Sequence, residues 1–122
     1  MPGDDTRQAP EDDAALAALD ALVEVLEQES AALAAAVERA RALQALRAQG
    51  LPYREIVPAE AAPLVVETIS RSLQRLSEAG GRWRREEARA LHREGLSMER
   101  IAQLFGVTRQ RVSALLAQAG RP

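Results

Sequence analysis

From Asp13 to Gln49 the chain runs for 37 residues through Ala, Leu, Glu and Arg with neither a glycine nor a proline. Residues of this kind lose little freedom in a helix, so the stretch commits nearly a third of the molecule to one long helix. Its bulky apolar residues fall at Leu16, Leu19, Val23, Leu26, Leu33 and Val37, with Ser30 and Ala40 filling the gaps. That three-four spacing paints one stripe along the helix. Acids crowd its first part and Arg39, Arg41 and Arg47 its last part, in agreement with the helix dipole at each end. Gly50 supplies a C-cap, and Pro52 prevents resumption. Two readings of the stripe stand side by side: a dimerising coiled coil, or an internal helix packed on the rest of the chain.

The remaining segments are also read as helical. Residues 1–12 mix Pro, Gly and like charges without periodicity and are expected to be a flexible tail. Residues 51–63 hold three prolines and read as a short helix or turn. A middle helix is expected from about Ala59, tolerating Pro63 in its first turn, through Leu64, Val65, Ile69, Leu73 and Leu76 to a stop at Gly80-Gly81. No segment alternates as a half-buried strand would, so the fold class is all-α.

Residues 82–119 carry the most specific spacing. A first helix is expected over about Trp83–Arg93, ending at Gly95. Ser97 is placed to cap a second helix, Met98–Phe105, and Thr108 to cap a third that runs to about Ala117. Gly106 can take the left-handed conformation of a tight turn. Ala102 is small enough for a helix to cross it, and Ile101, Phe105, Val107, Val112 and Leu115 can close a small core. This is the pattern of a helix-turn-helix.

The phrase GLSMERIAQLFGVTRQRVSALL resembles the helix-turn-helix of region four of primary bacterial sigma factors, over about residues 86–117. The resemblance implies a third helix lying in the DNA major groove, with Thr108, Arg109, Gln110 and Arg111 at its start and Ser113 and Ala114 one turn later. Gln110 stands where that family carries an acidic residue, and Ser113 and Ala114 replace a larger basic and amide pair. The family's promoter preference is therefore not carried over. Nor is there room for its polymerase-binding and promoter-melting regions, and the chain more closely resembles a small actinobacterial-type transcriptional regulator with a sigma-like motif.

Groove chemistry gives these side chains roles. Gln110 can offer a donor-acceptor pair to adenine, and Arg109 or Arg111 can do the same to guanine or clamp phosphate. Thr108 suits a cap first and a phosphate contact second. Ser97, Arg100 and Gln103 are placed to reach the backbone. Arg84 and Arg85 belong to an arginine-rich junction with Arg71, Arg75 and Arg82 around Gly80-Gly81 and Trp83. That junction reads as a phosphate clamp, a pocket for a small anion, or a solvated basic face with Trp83 as core anchor.

Charge is distributed in the same sense. The formal net charge is only −2, yet residues 1–38 hold ten acids and one arginine, whereas residues 81–122 hold nine arginines and four glutamates. The basic end coincides with the helix-turn-helix, the asymmetry expected when one end meets a polyanion. All sixteen basic residues are arginine and about a fifth of the chain is alanine, which a GC-rich genome explains without reference to function.

A weaker pattern lies upstream. LRAQGLPYREIV (Leu46–Val57) parallels LHREGLSMERIA (Leu91–Ala102), with Gly50 over Gly95, Leu51 over Leu96 and Ile56 over Ile101. It reads as a degenerate first copy kept for packing, or as chance similarity in a biased composition; no DNA contact is assigned to it.

The expected function is that of a sequence-specific DNA-binding transcriptional regulator, with double-stranded DNA as partner. Leu16, Leu19, Val23, Leu26, Leu33 and Val37 would form the homodimer interface. The alternative is an adaptor that binds RNA polymerase, a sigma factor or another regulator through its acidic helix. No enzyme is expected: the chain lacks cysteine, His92 is its one histidine, and no nucleophile motif, phosphate loop or carboxylate pair accompanies it. No cofactor or metal is implied. Absence of a long apolar run or a leader-like start leads to the expectation of a cytoplasmic, nucleoid-associated protein.

Overall fold

The computed structural model describes residues 13–118; the expected flexible tail over residues 1–12 lies outside them. Every regular element among the described residues is helical: α1 (Ala14–Ala48), α2 (Tyr53–Ile56), a 3₁₀ turn (Val57–Ala59), α3 (Val65–Arg93), α4 (Met98–Phe105) and α5 (Arg109–Gln118). The protein is all-α. The described residues divide into two compact units, a hairpin unit of residues 24–77 and a C-terminal unit in which residues 78–118 gather with residues 13–23.

Both ends of α1 follow from local chemistry. Asp13 Oδ1 accepts from the Leu16 amide at 2.9 Å and caps the start. At the other end Gly50 sits at φ +92°, its amide donating to Arg47 O at 2.9 Å, and the Leu51 amide reaches back to Leu46 O at 3.3 Å. This paired closure of the last carbonyls needs a left-handed residue, which glycine supplies without a Cβ clash.

Within the hairpin unit, α1 and α3 run antiparallel. Glu29 accepts from Ser72 Oγ at 2.5 Å and pairs with Arg75, which also donates to Gln28 Oε1 at 2.6 Å; ten residues further along α1, Arg39 donates to Thr68 Oγ1 at 2.8 Å. Glu29, Thr68 and Ser72 are buried, so these bonds satisfy groups that would otherwise be costly to remove from water. The inward seam of α1 is thus Glu29, Ala32, Ala36 and Arg39, one residue around from the aliphatic stripe legible in the sequence. Ala36 is buried, and Ala32 lines a groove of about 270 Å³ that also includes Thr68 and Ser72. The stripe residues Leu26, Leu33 and Val37 are left exposed.

Two expected boundaries are corrected. The middle helix begins at Val65, not near Ala59, because Pro58 and Pro63 break the chain into a 3₁₀ turn and an irregular link. Its start is capped by Glu67, which accepts from the Leu64 amide at 3.1 Å, and by Glu60, which accepts from the Val65 amide at 2.6 Å. The stop at Gly80-Gly81 is absent: α3 continues through both glycines to Arg93, so the expected middle helix and first helix of the motif are one element. Three glycines do end helices here, and each is followed by an apolar residue (Leu51, Leu96, Val107) whose amide completes the closure. Gly81 is followed by Arg82, which offers no such apolar anchor.

The upstream parallel is reproduced in geometry. Leu46 O accepts from Leu51 N as Leu91 O accepts from Leu96 N, Pro52 and Ser97 occupy the same N-cap position, and Ile56 and Ile101 are both buried. The first copy ends after one helical turn, where Pro58 enters, and no counterpart of α5 follows.

Candidate nucleic-acid interface

The C-terminal unit is built on a small core. Ala88 from α3, Ile101 and Ala102 from α4, and Val112 and Leu115 from α5 are buried together, with Leu91, Leu96, Met98, Phe105 and Leu116 packed around them. The last turns of the long α3 and the two short helices α4 and α5 surround that core, with α4 at the bounds the spacing predicts. Val107, expected in this core, remains 39 % exposed; its part is to donate to Ala102 O at 3.1 Å and close the end of α4.

Between α4 and α5 the chain turns on Gly106, at φ +68° with its amide turned back toward Ala102 O and Gln103 O. Ser97 Oγ accepts from the Arg100 amide at 3.1 Å and Thr108 Oγ1 from the Arg111 amide at 3.0 Å, so both hydroxyls serve as helix caps. A capping oxygen retains a lone pair and its own proton, and either hydroxyl can still meet an anion.

The outer face of α5 is free of the core. Arg109, Gln110, Arg111, Ser113 and Ala114 are all exposed, and Arg109, Gln110 and Ser113 border a shallow groove of about 320 Å³ beside Met98. Arg109 Nε lies 3.7 Å from Glu99 Oε2, across from the first turn of α4. Arg100 donates to Gln103 Oε1 at 3.1 Å on the exposed side of α4. The start of α5 also carries the positive end of its helix dipole.

Of the junction arginines, Arg71 and Arg75 lie in the hairpin unit and Arg82, Arg84 and Arg85 in the C-terminal unit. Arg75 is engaged by Glu29 and Gln28, and Arg71 borders a groove in the hairpin unit beside Thr68. In the C-terminal unit Arg84 lies over the Phe105 ring, 4.1 Å from its centroid, and 3.7 Å from Glu87. Arg84 therefore joins α3 to α4, a role the sequence did not suggest. Arg85 is half-buried, with Nη1 close to Gly81. Trp83 is half-buried and borders a cavity of about 560 Å³ together with Leu16, Leu19 and Ala90.

Of the residues read as a dimer stripe, Leu16 and Leu19 border that cavity within the C-terminal unit, and Leu16, Val23, Leu26, Leu33 and Val37 are exposed. His92 is exposed, with Nδ1 3.3 Å from Leu96 O. Among the described residues no helix is long and apolar enough to cross a membrane.

No protein-family model, curated protein or solved structure matches the chain.

Proposed function

We propose that this chain is a sequence-specific DNA-binding transcriptional regulator that lays α5 in the major groove of double-stranded DNA, with two copies on one duplex. The observation that carries the reading is the exposed row Arg109, Gln110, Arg111 and Ser113 at the start of a helix whose opposite side, Val112 and Leu115, is fully committed to the core. A helix held in this way can enter the groove without unfolding anything. Gln110 supplies the donor-acceptor pair that adenine demands, Arg109 and Arg111 supply the forks that suit guanine or phosphate, and Arg100 with Gln103 lies where backbone oxygens pass. A single unit has few base contacts. Two units on one duplex gain affinity through effective concentration, and a palindromic site would mirror them.

Genome-wide occupancy of the protein, followed by titration of the recovered duplex at several salt concentrations, tests this. The expected result is a symmetric or repeated motif bound with affinity that falls steeply as salt rises. Occupancy that follows RNA polymerase with no motif, together with no binding to any duplex at low salt, would instead support an adaptor working through the acidic α1.

A further inference from the structure

The hairpin unit joins its helices through short and polar side chains and leaves several of its large aliphatic ones exposed. Of its hydrophobic residues only Ala36 and Ile56 are buried. Leu26, Leu33 and Val37 on α1 and Val66, Ile69 and Leu73 on α3 are each 37–71 % exposed. On both helices the exposed stripe lies one residue beyond the seam: Leu33 follows Ala32 and Val37 follows Ala36, just as Ile69 follows Thr68 and Leu73 follows Ser72.

One residue is a turn of about 100° around a helix. Because α1 and α3 are antiparallel, that turn runs in opposite senses when both are viewed down a common axis. Starting from seams that face each other, the two stripes therefore emerge on the same side of the hairpin and make a single two-helix apolar face. Ala40, Gln44 and Arg47 continue the α1 stripe into an open cavity of about 490 Å³ walled by Tyr53, Ile56 and Val57. The counterparts of those three residues in the C-terminal unit, Met98, Ile101 and Ala102, belong to the core that α5 closes. In the hairpin unit the same seat has no third helix.

We propose that a second copy of this chain covers this face and the adjoining seat, giving a two-fold bundle of four long helices. The six aliphatic side chains expose on the order of 500 Å² between them, more than scattered surface residues would, and with the neighbouring alanines they approach the roughly 800 Å² per partner of a standard interface. The stripes contain no charge from Leu26 to Val37 or from Val66 to Leu73, so the face offers nothing to a polyanion. Glu24, Glu27 and Glu38 flank it on α1, the wrong sign for an anionic lipid surface. A face made of two like stripes is self-complementary, as a two-fold contact requires. The inference deepens the pairing part of the DNA-binding reading but needs no DNA.

Sedimentation equilibrium of the full chain in the absence of DNA, at micromolar concentration, is the test. The expected mass is twice that of the 13.2 kDa chain. Leu33→Glu combined with Leu73→Glu should weaken self-association by at least about a hundredfold, because pairing would bury unpaired carboxylates. Ala31→Glu, which places the same charge on the exposed side of α1 away from both the seam and the stripe, should leave the dimer intact. A monomeric wild-type chain overturns the proposal, as does a dimer that the double variant fails to weaken. A dimer that binds no duplex would overturn the DNA-binding reading alone.

Discussion

Arg109 at the start of α5 and Glu99 in the first turn of α4 lie 3.7 Å apart across the turn that joins the two helices. A side chain proposed to read a base is thus paired with a carboxylate of its own chain. Both groups are largely exposed, so the pair adds little to stability. On the proposed reading its consequence is for binding: DNA would compete with Glu99 for the guanidinium, and Glu99 would repel phosphate. Glu99→Gln should raise affinity for any duplex several-fold at low salt while leaving the melting temperature nearly unchanged. Fluorescence anisotropy with a cognate and a scrambled duplex measures the first, and thermal melting the second.

Base readout separates from phosphate contact by its sequence dependence. Arg109→Ala and Gln110→Ala should each cost about 1–3 kcal/mol on the cognate duplex and much less on a scrambled one. Parallel titrations decide this; equal losses on both duplexes would reject a base-reading role for these two positions.

The glycines divide by backbone conformation, and their alanine variants should move stability in opposite directions. Gly106 lies at φ +68°, so Gly106→Ala should cost about 1–2 kcal/mol from backbone strain alone, since nothing within 4 Å would meet the new Cβ. Gly80 lies inside α3 with equally open surroundings, and Gly80→Ala should stabilise by about 0.5–1 kcal/mol. Paired denaturant titrations of the two variants check the sign of each.

Ser72 Oγ donates at 2.5 Å to a Glu29 carboxylate that is 4 % exposed. Ser72→Ala removes that donor and leaves Arg75 as the remaining partner known for Glu29 on α3. A loss of about 1–3 kcal/mol in unfolding free energy is expected. Ser72→Thr, which retains a hydroxyl, should recover part of it if the added methyl fits; chemical denaturation of both measures the difference.

Much of the candidate interface was legible in the sequence because its determinants are local. Ser97 and Thr108 cap the helices they precede, Gly106 takes the left-handed turn, and Ile101, Val112 and Leu115 recur at spacings that only a small crossed-helix core explains. The sequence reads Arg84 only as part of a basic junction. Its partner is the Phe105 ring on another helix, twenty-one residues away, and no spacing rule announces such a contact. Glu99 was equally silent, since its pairing with Arg109 depends on the angle at which α4 and α5 meet.

The all-α class, the long first helix and the three-helix end were determined by the sequence itself, through propensity, capping residues and periodicity that act within a few residues. Tertiary structure decided what those signals leave degenerate. A helix with aliphatic residues on one face and alanines beside them can pack on either, and the side of α1 that carries Ala32, Ala36, Glu29 and Arg39 faces α3 because Ser72 and Arg75 bond Glu29 there and Thr68 accepts from Arg39 Nη2, which among the described residues leaves only Arg39 Nε buried without a partner. A glycine pair can stop a helix or lie within one, and α3 runs through Gly80-Gly81 because no apolar anchor follows to complete a stop. Both choices rest on partners distant in the chain.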